Sequence, residues 1–192
     1  MSEERRIALF GGTFDPVHLG HLRIATVARD AMDLDEVRFL PCRISPHKTG
    51  SRPADGADRV EMLRRATRGN DWAVIDDIEL RRGGVSYSWQ TAEAMRERFP
   101  SARLFWILGT DQWSALPRWN HPERLAACVE FLVFGRGETP EPREGYVMHP
   151  LSAPHPASST EIRTAFAAGE RTHPWVDPLV AGWIVEKRLY QD

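Results

Sequence analysis

Gly11-Gly12-Thr13-Phe14-Asp15-Pro16-Val17-His18-Leu19-Gly20-His21 follows an apolar run, Ile7 to Phe10, and leads into a stretch where Gly20, Ile24, Val27, Ala28 and Ala31 recur at helical spacing. The segment reads as a turn between a buried strand and a helix. Glycines let a backbone approach a ligand without a Cβ in the way, and the first turn of a helix offers unpaired N–H groups to an anion. His18 and His21, three apart, share the face of that turn. Phosphate is the ligand such a turn suits, yet its wording matches neither G-x-G-x-x-G nor G-x-x-x-x-G-K-[ST].

Outward from this turn, short apolar strands alternate with amphipathic segments, the pattern of a parallel sheet. A second strand around Val37 to Leu40 completes a βαβ unit, and Arg43 to Asp58, with Pro46, Gly50, Pro53 and Gly56, forms a loop at its carboxyl end. Further along come a helix near Arg59 to Thr67, extended chain from Ala73 to Leu80, and a helix from Trp89 to Arg98 stopped by Pro100. Leu104 to Leu108 is continuously apolar, as a central strand covered on both faces should be, and Gly109-Thr110-Asp111 follows at its end. Val129 to Phe134 is a further strand, Gly135 to Gly145 a surface loop, and the last quarter of the chain reads as helical. The expected fold is α/β: a single Rossmann-like doubly wound parallel sheet with flanking helices and a C-terminal helical segment. One domain over 1–192 is expected, with a core at 5–150 and a phosphate-binding helix and closing helix in 157–190.

Composition narrows the classes of function. A net charge of −2 gives no basic surplus of the kind nucleic acid requires. Arg81-Arg82, Arg96 and Arg98 lack interleaved aromatics and read as exposed charges. Cys42 and Cys128 are far apart and outside any C-x-x-C, which fits a reduced, cytoplasmic setting. No apolar run approaches the roughly 20 residues that cross a bilayer, and no signal peptide precedes the first strand. Asp76, Asp77 and Glu79, alternating in an extended segment, read as solvated or loop-structuring rather than as paired catalytic carboxylates.

A second motif lies near the end, Ser158-Ser159-Thr160-Glu161-Ile162-Arg163. Its Ser-x-x-Glu spacing is a capping box for a helix ending before Gly169. Thr160 and Arg163 at i and i+3 bring a hydroxyl, helix N–H groups and a guanidinium toward one anion. Asp111, at a strand end, suits either a ribose hydroxyl or the N-cap of the following turn.

Thr13-Phe14-Asp15-Pro16 with His18, Gly20 and His21 resembles the nucleotidyltransferase superfamily signature [ST]-F-D-P-x-H-x-G-H, with seven fixed positions in nine residues. The Ser158-to-Arg163 motif resembles the S-[ST]-T-x-[IV]-R segment of the same superfamily. Ser45-Pro46-His47-Lys48 is similar to the P-P-H-K of bacterial nicotinate mononucleotide adenylyltransferases. Arg59-Val60-Glu61-Met62-Leu63, Ser86-Tyr87-Ser88 with Thr91, Gly109-Thr110-Asp111, Leu116-Pro117-Arg118-Trp119 and the tail from Val176 to Tyr190 fall in that family's order and spacing. The length suits this family better than the shorter pantetheine-phosphate adenylyltransferases, which share the first motif. Departures are Ser45 for proline, Ser88 for threonine, Ala157 for isoleucine, and Gln112-Trp113 after the G-x-D. None removes a charged or catalytic group.

The resemblance implies adenylyl transfer from ATP to the 5′-phosphate of nicotinate mononucleotide, giving deamido-NAD and pyrophosphate. Phosphate monoesters have a second pKa near 6, so the nucleophile needs no general base, and alignment and charge stabilisation are left for the protein. His18, His21 and Arg163 are the expected catalytic residues. ATP is assigned to Gly11, Gly12, Thr13, Phe14, Gly109, Asp111, Ser158, Ser159, Thr160 and Arg163, and the acceptor to Thr13, His47, Lys48, Tyr87, Thr91 and Trp119. Mg²⁺ is the expected cofactor, bound mainly through ATP phosphates. No protein metal ligand is assigned, since His18 and His21 have no third partner for zinc. Expected partners are ATP and the mononucleotide, without nucleic acid or membrane; oligomeric state is left open. Nicotinamide mononucleotide or phosphopantetheine as acceptor, and a catalytically silent nucleotide-binding module, are the alternatives. The loops at 43–58 and 109–120 are expected to order on binding.

Overall fold

The structure, a computed structural model, describes residues 4–46, 53–135 and 140–191. Its framework is a sheet of β1 (Arg6–Gly12), β2 (Glu36–Pro41), β3 (Ala73–Ile75), β4 (Arg103–Gly109), β5 (Glu130–Gly135) and β6 (Met148–Ser152). Every pairing is parallel and the order is β3-β2-β1-β4-β5-β6. Strand order reverses between β1 and β4, where Arg6 faces Arg103 and Leu9 faces Trp106. The loops leaving these two strands diverge and open a crevice at their carboxyl ends, the place where doubly wound sheets bind ligands.

Alternation within the strands sorts side chains onto two apolar faces. Ala8, Phe10, Phe39, Phe105 and Ile107 meet α1 (Leu19–Met32), α2 (Gly56–Ala66), α7 (Ser159–Ala167) and α8 (Pro178–Glu186). Ile7, Leu9, Leu40, Leu104, Trp106 and Phe131 meet α4 (Ser88–Arg98), α5 (Thr110–Ala115) and α6 (Pro122–Cys128) on the other side. Burying one such aromatic or leucine side chain stabilises the fold by roughly 1.5–3 kcal/mol. No helix among the described residues is long and apolar enough to cross a membrane.

Three stretches depart from the expectations above. Met148-His149-Pro150-Leu151-Ser152, expected in a helical last quarter, is a parallel edge strand. Its proline is tolerated because one side of an edge strand has no ladder to join. The extended segment ends at Ile75, and Ile78–Arg82 is a short helix, α3. The helix expected from Arg59 begins earlier, at Gly56.

Several charges expected at the surface are structural. Asp76, 5% exposed, accepts from Arg38 Nη1 at 2.8 Å and Arg98 Nη1 at 3.0 Å, and its other oxygen accepts from Ile78 N. Arg38 also donates to buried Glu36 and lies over the Phe99 ring. Arg96 donates to Ala102 O at 2.6 Å and Cys128 O at 2.7 Å, tying α4 to the chain before β4 and to the end of α6.

Arg59 on α2 is 2% exposed and binds three backbone carbonyls. Its Nε donates to Ala54 O at 2.8 Å, Nη1 to Thr13 O at 2.9 Å and Nη2 to Cys42 O at 2.9 Å. One guanidinium thus joins the first turn, the end of β2 and the lead-in to α2. Arg59→Met leaves three acceptors unsatisfied and should remove roughly 3 kcal/mol or more of stability. Urea denaturation checks this; a loss below about 1 kcal/mol would mean that other donors reach these carbonyls.

Candidate active site

A cavity of about 660 Å³ fills the crevice, with walls from the turns after β1, β2 and β4 and from the start of α7. Aromatic rings shape its floor. A Cβ on Gly11 would lie 3.1 Å from the Trp106 ring, and one on Gly12 would lie 3.0 Å from the Phe14 ring. Both glycines therefore admit rings of the protein itself as well as leaving backbone open to the cavity. Phe14 adopts φ 51°, a left-handed conformation that costs a bulky residue energy. Its ring is 2% exposed and packs edge-on against Phe10, Phe39 and His21.

His21 lines the cavity, and its ring stacks on His18 with centroids 3.7 Å apart. His18 N donates to His21 Nδ1 at 3.3 Å, which puts the proton of a neutral His21 ring on Nε2. His18 is 9% exposed and backs His21 rather than joining the cavity lining. Burial pushes its pKa down to about 4, helped by neighbouring His155 and His173, so its imidazole is neutral near pH 7.

The two motifs meet across the crevice. Arg163 Nη1 donates to Asp15 O at 2.7 Å, and Nη2 to Thr160 Oγ1 at 3.3 Å. Ser159 Oγ donates to Pro16 O at 3.1 Å. Asp15 Oδ1 accepts from Tyr190 Oη at 2.8 Å and Ala54 N at 3.1 Å. Burial and the Asp15 carboxylate raise the Tyr190 phenol above its ordinary range, keeping it a donor. Ser158 occupies the N-cap of α7, but its hydroxyl makes no capping bond, so the expected capping box is not formed. Ser159, Thr160 and Arg163 line the cavity; Ser158 stands outside it.

Gly109 lines the opposite wall. The Asp111 carboxylate, on the exposed first turn of α5, folds back so that a Cβ on Gly109 would lie 2.6 Å from its Oδ1. On the third side, Thr13 faces Cys42, Ser45 and Pro46. A second recess of about 320 Å³ shares Pro46, Ser88 and Trp119 with the main cavity and adds Tyr87, Arg118 and Asn120. Trp119 follows a 3₁₀ turn, Leu116–Arg118.

Thr91, expected at the acceptor, is 0% exposed and stands behind this wall. Its hydroxyl is used internally, donating to Glu79 Oε1 at 2.8 Å and accepting from Arg82 Nη2 at 3.0 Å. His47 and Lys48 lie outside the described residues. Glu79 corrects the reading of a solvated acidic segment: it is 4% exposed and borders the cavity. Cys42, Trp106 and Gln112 also line the site without having been singled out. For two of these a signal was available: Cys42 directly follows β2, and Gln112 stands in the first turn of the helix after β4.

Comparison with known proteins places the chain in a family. The cytidylyltransferase-like family matches residues 9–165. A probable nicotinate-nucleotide adenylyltransferase of Shouchella clausii is 37% identical, with 98% of each chain covered. The nicotinate-nucleotide adenylyltransferase of Bacillus subtilis is 34% identical over 97% of this chain and 99% of its own. In fold, the chain is similar to Plasmodium falciparum nicotinic acid mononucleotide adenylyltransferase complexed with NaAD, with a TM-score of 0.80, 18% identity and coverage of 97% of this chain and 98% of that one. Similarity over nearly the whole length, at this level of identity, means that the chain belongs to the nicotinate-nucleotide adenylyltransferases of the cytidylyltransferase-like family.

Proposed function

We propose that the protein transfers the adenylyl group of ATP to the 5′-phosphate of nicotinate mononucleotide, forming deamido-NAD and releasing pyrophosphate, a step of NAD biosynthesis. The observation that carries this reading is the meeting of His21 with the Thr160–Arg163 helix start across one crevice, beside a recess walled by Tyr87 and Trp119. A phosphate oxygen of the mononucleotide attacks the α-phosphorus in line, and the bond to the β,γ-pyrophosphate breaks. No covalent enzyme intermediate is needed.

His21, with its proton on Nε2, donates to the α-phosphate as charge builds there. His18 acts behind it, its backbone N–H fixing the His21 tautomer and its neutral ring stacking on the His21 ring. Gly11, Gly12 and Thr13 present the turn to the triphosphate, Phe14 supports it from the core, and Ser159, Thr160 and Arg163 receive the leaving phosphates at the start of α7, with Ser158 acting from its N-cap outside the cavity lining. Gly109 and Asp111 serve the nucleoside of ATP. On the acceptor side we assign Trp119 to stacking on the pyridine ring, with Tyr87 beside it, His47 and Lys48, which follow β2 in sequence, to the acceptor phosphate, and Thr91 to a role behind the wall.

Among the polar side chains that line the cavity, imidazole, hydroxyl, guanidinium and amide groups outnumber the carboxylates of Asp15 and Glu79, a donor set suited to phosphate rather than to a caged metal. Mg²⁺ would be held by triphosphate oxygens and water, and it neutralises the leaving pyrophosphate when bound. Buried Cys42 and Cys128, as thiols, suit a reducing, cytoplasmic setting.

Pyrophosphate release with ATP and Mg²⁺ should be fastest with nicotinate mononucleotide when nicotinamide mononucleotide and phosphopantetheine are offered separately. Preference for either other acceptor would move the substrate assignment, and no release would leave a silent nucleotide-binding module. His21→Ala should lower kcat roughly 10²- to 10³-fold with little change in melting temperature; wild-type kcat would remove His21 from the chemistry. Because His18 stays neutral down to about 4, the rate should follow the second ionisation of the acceptor phosphate, level above pH 7 and declining below about 6. Unfolding returns the His18 imidazole to its ordinary 6.5, and the unfolded chain then binds the proton that the folded one refuses. Native stability should therefore fall as pH drops from 6.5 toward 4, and thermal melts across that window should show less of this dependence in His18→Asn.

A further inference from the structure

Glu79 is a buried acid that the proposed chemistry does not use. It stands on α3, 4% exposed, at the border of the cavity. Its Oε1 accepts from Thr91 Oγ1 at 2.8 Å, and the Ser86 side chain lies near enough to the carboxylate to favour its charged form. Thr91 is held from its other side by Arg82 Nη2 at 3.0 Å. Ser86 is pinned to the end of β2: its Oγ accepts from Arg43 N at 2.9 Å, and its N donates to Ile44 O at 3.0 Å, next to the bridge between Ile44 and Val85. The Glu79 carboxylate therefore joins the short helix α3 to α4, and Ser86, just before α4, joins this corner to the chain after β2. Two of these segments supply Pro46, Tyr87 and Ser88 to the second recess.

Placing an acid here costs desolvation that an apolar side chain of similar volume would avoid. Its hydrogen bonds offset part of that cost and fix direction, which apolar packing cannot do. The ATP side is braced separately, through Arg163, Asp15 and Tyr190.

We propose that Glu79 is a positioning residue for the acceptor half of the site: by gripping Thr91, next to a Ser86 already tied to the end of β2, it holds the start of α4 in place and so sets the recess offered to the mononucleotide. This rests on the adenylyl-transfer reading above. Glu79→Ala should raise KM for nicotinate mononucleotide at least tenfold while KM for ATP stays within about twofold, and Glu79→Gln, which retains an acceptor for Thr91, should recover most of the loss. Equal changes in both KM values, or no change for the mononucleotide, would overturn the proposal. Amide hydrogen exchange on the unliganded protein gives a second readout. Glu79→Ala should accelerate exchange at 85–91 and leave 159–166 as in wild type; unchanged exchange at 85–91 would also overturn it. Absence of pyrophosphate release by the wild-type protein would instead defeat the adenylyl-transfer reading, and the exchange result would still decide whether Glu79 holds the start of α4.

Discussion

The hydrogen bond from Arg163 to the Asp15 carbonyl, 2.7 Å long and spanning 148 positions, is the contact on which the site depends. It fixes the start of α7 against the first turn, so the helix N–H groups and the histidine face converge on one cavity. Asp15 can serve as the anchor because its own carboxylate is held by Tyr190 and Ala54. Arg59 secures the same turn from below through Thr13. A guanidinium suits both places: its planar fork reaches several carbonyls at once and keeps its charge when buried.

Charge is distributed according to what the reaction would require. His18, behind His21, is neutral near pH 7 because burial, helped by His155 and His173, lowers its pKa, while the Arg163 guanidinium stands at the cavity edge. Other buried charges, Arg38 with Glu36 and Asp76, lie on the strands and their ends away from this opening and are neutralised by one another. Strand order adds the last constraint, since the crevice exists only where β1 and β4 send their connections to opposite sides.

Much of this was legible. Ile7 to Phe10 and Leu104 to Leu108 read as buried strands because helices cover both faces, and the first turn declared itself by glycines, proline and histidines at fixed spacing. Other parts left no local trace. β6 is five residues with a proline, too short to show a period, and Ile78 and Leu80 alternate around Glu79 as they would in a strand although α3 is helical. Glu79, Ser86 and Thr91 are ordinary polar residues in sequence; what they bond is set by how the chain folds, Thr91 meeting Glu79 across 12 positions and Ser86 meeting Arg43 across 43. The Ser158 capping box does not form, and the hydroxyl that the helix start does put to use is that of Ser159, bonded to Pro16 O.

The span of the Arg163–Asp15 contact also bears on how the molecule is made. Closing so long a loop is entropically unfavourable until other contacts have drawn its ends together. Parallel pairing of β1 with β4, β4 with β5 and β5 with β6 does that, carrying the chain stepwise toward α7. The crevice is thus a late product of folding: a chain can acquire its sheet and most of its apolar core before it has anything with which to hold a nucleotide.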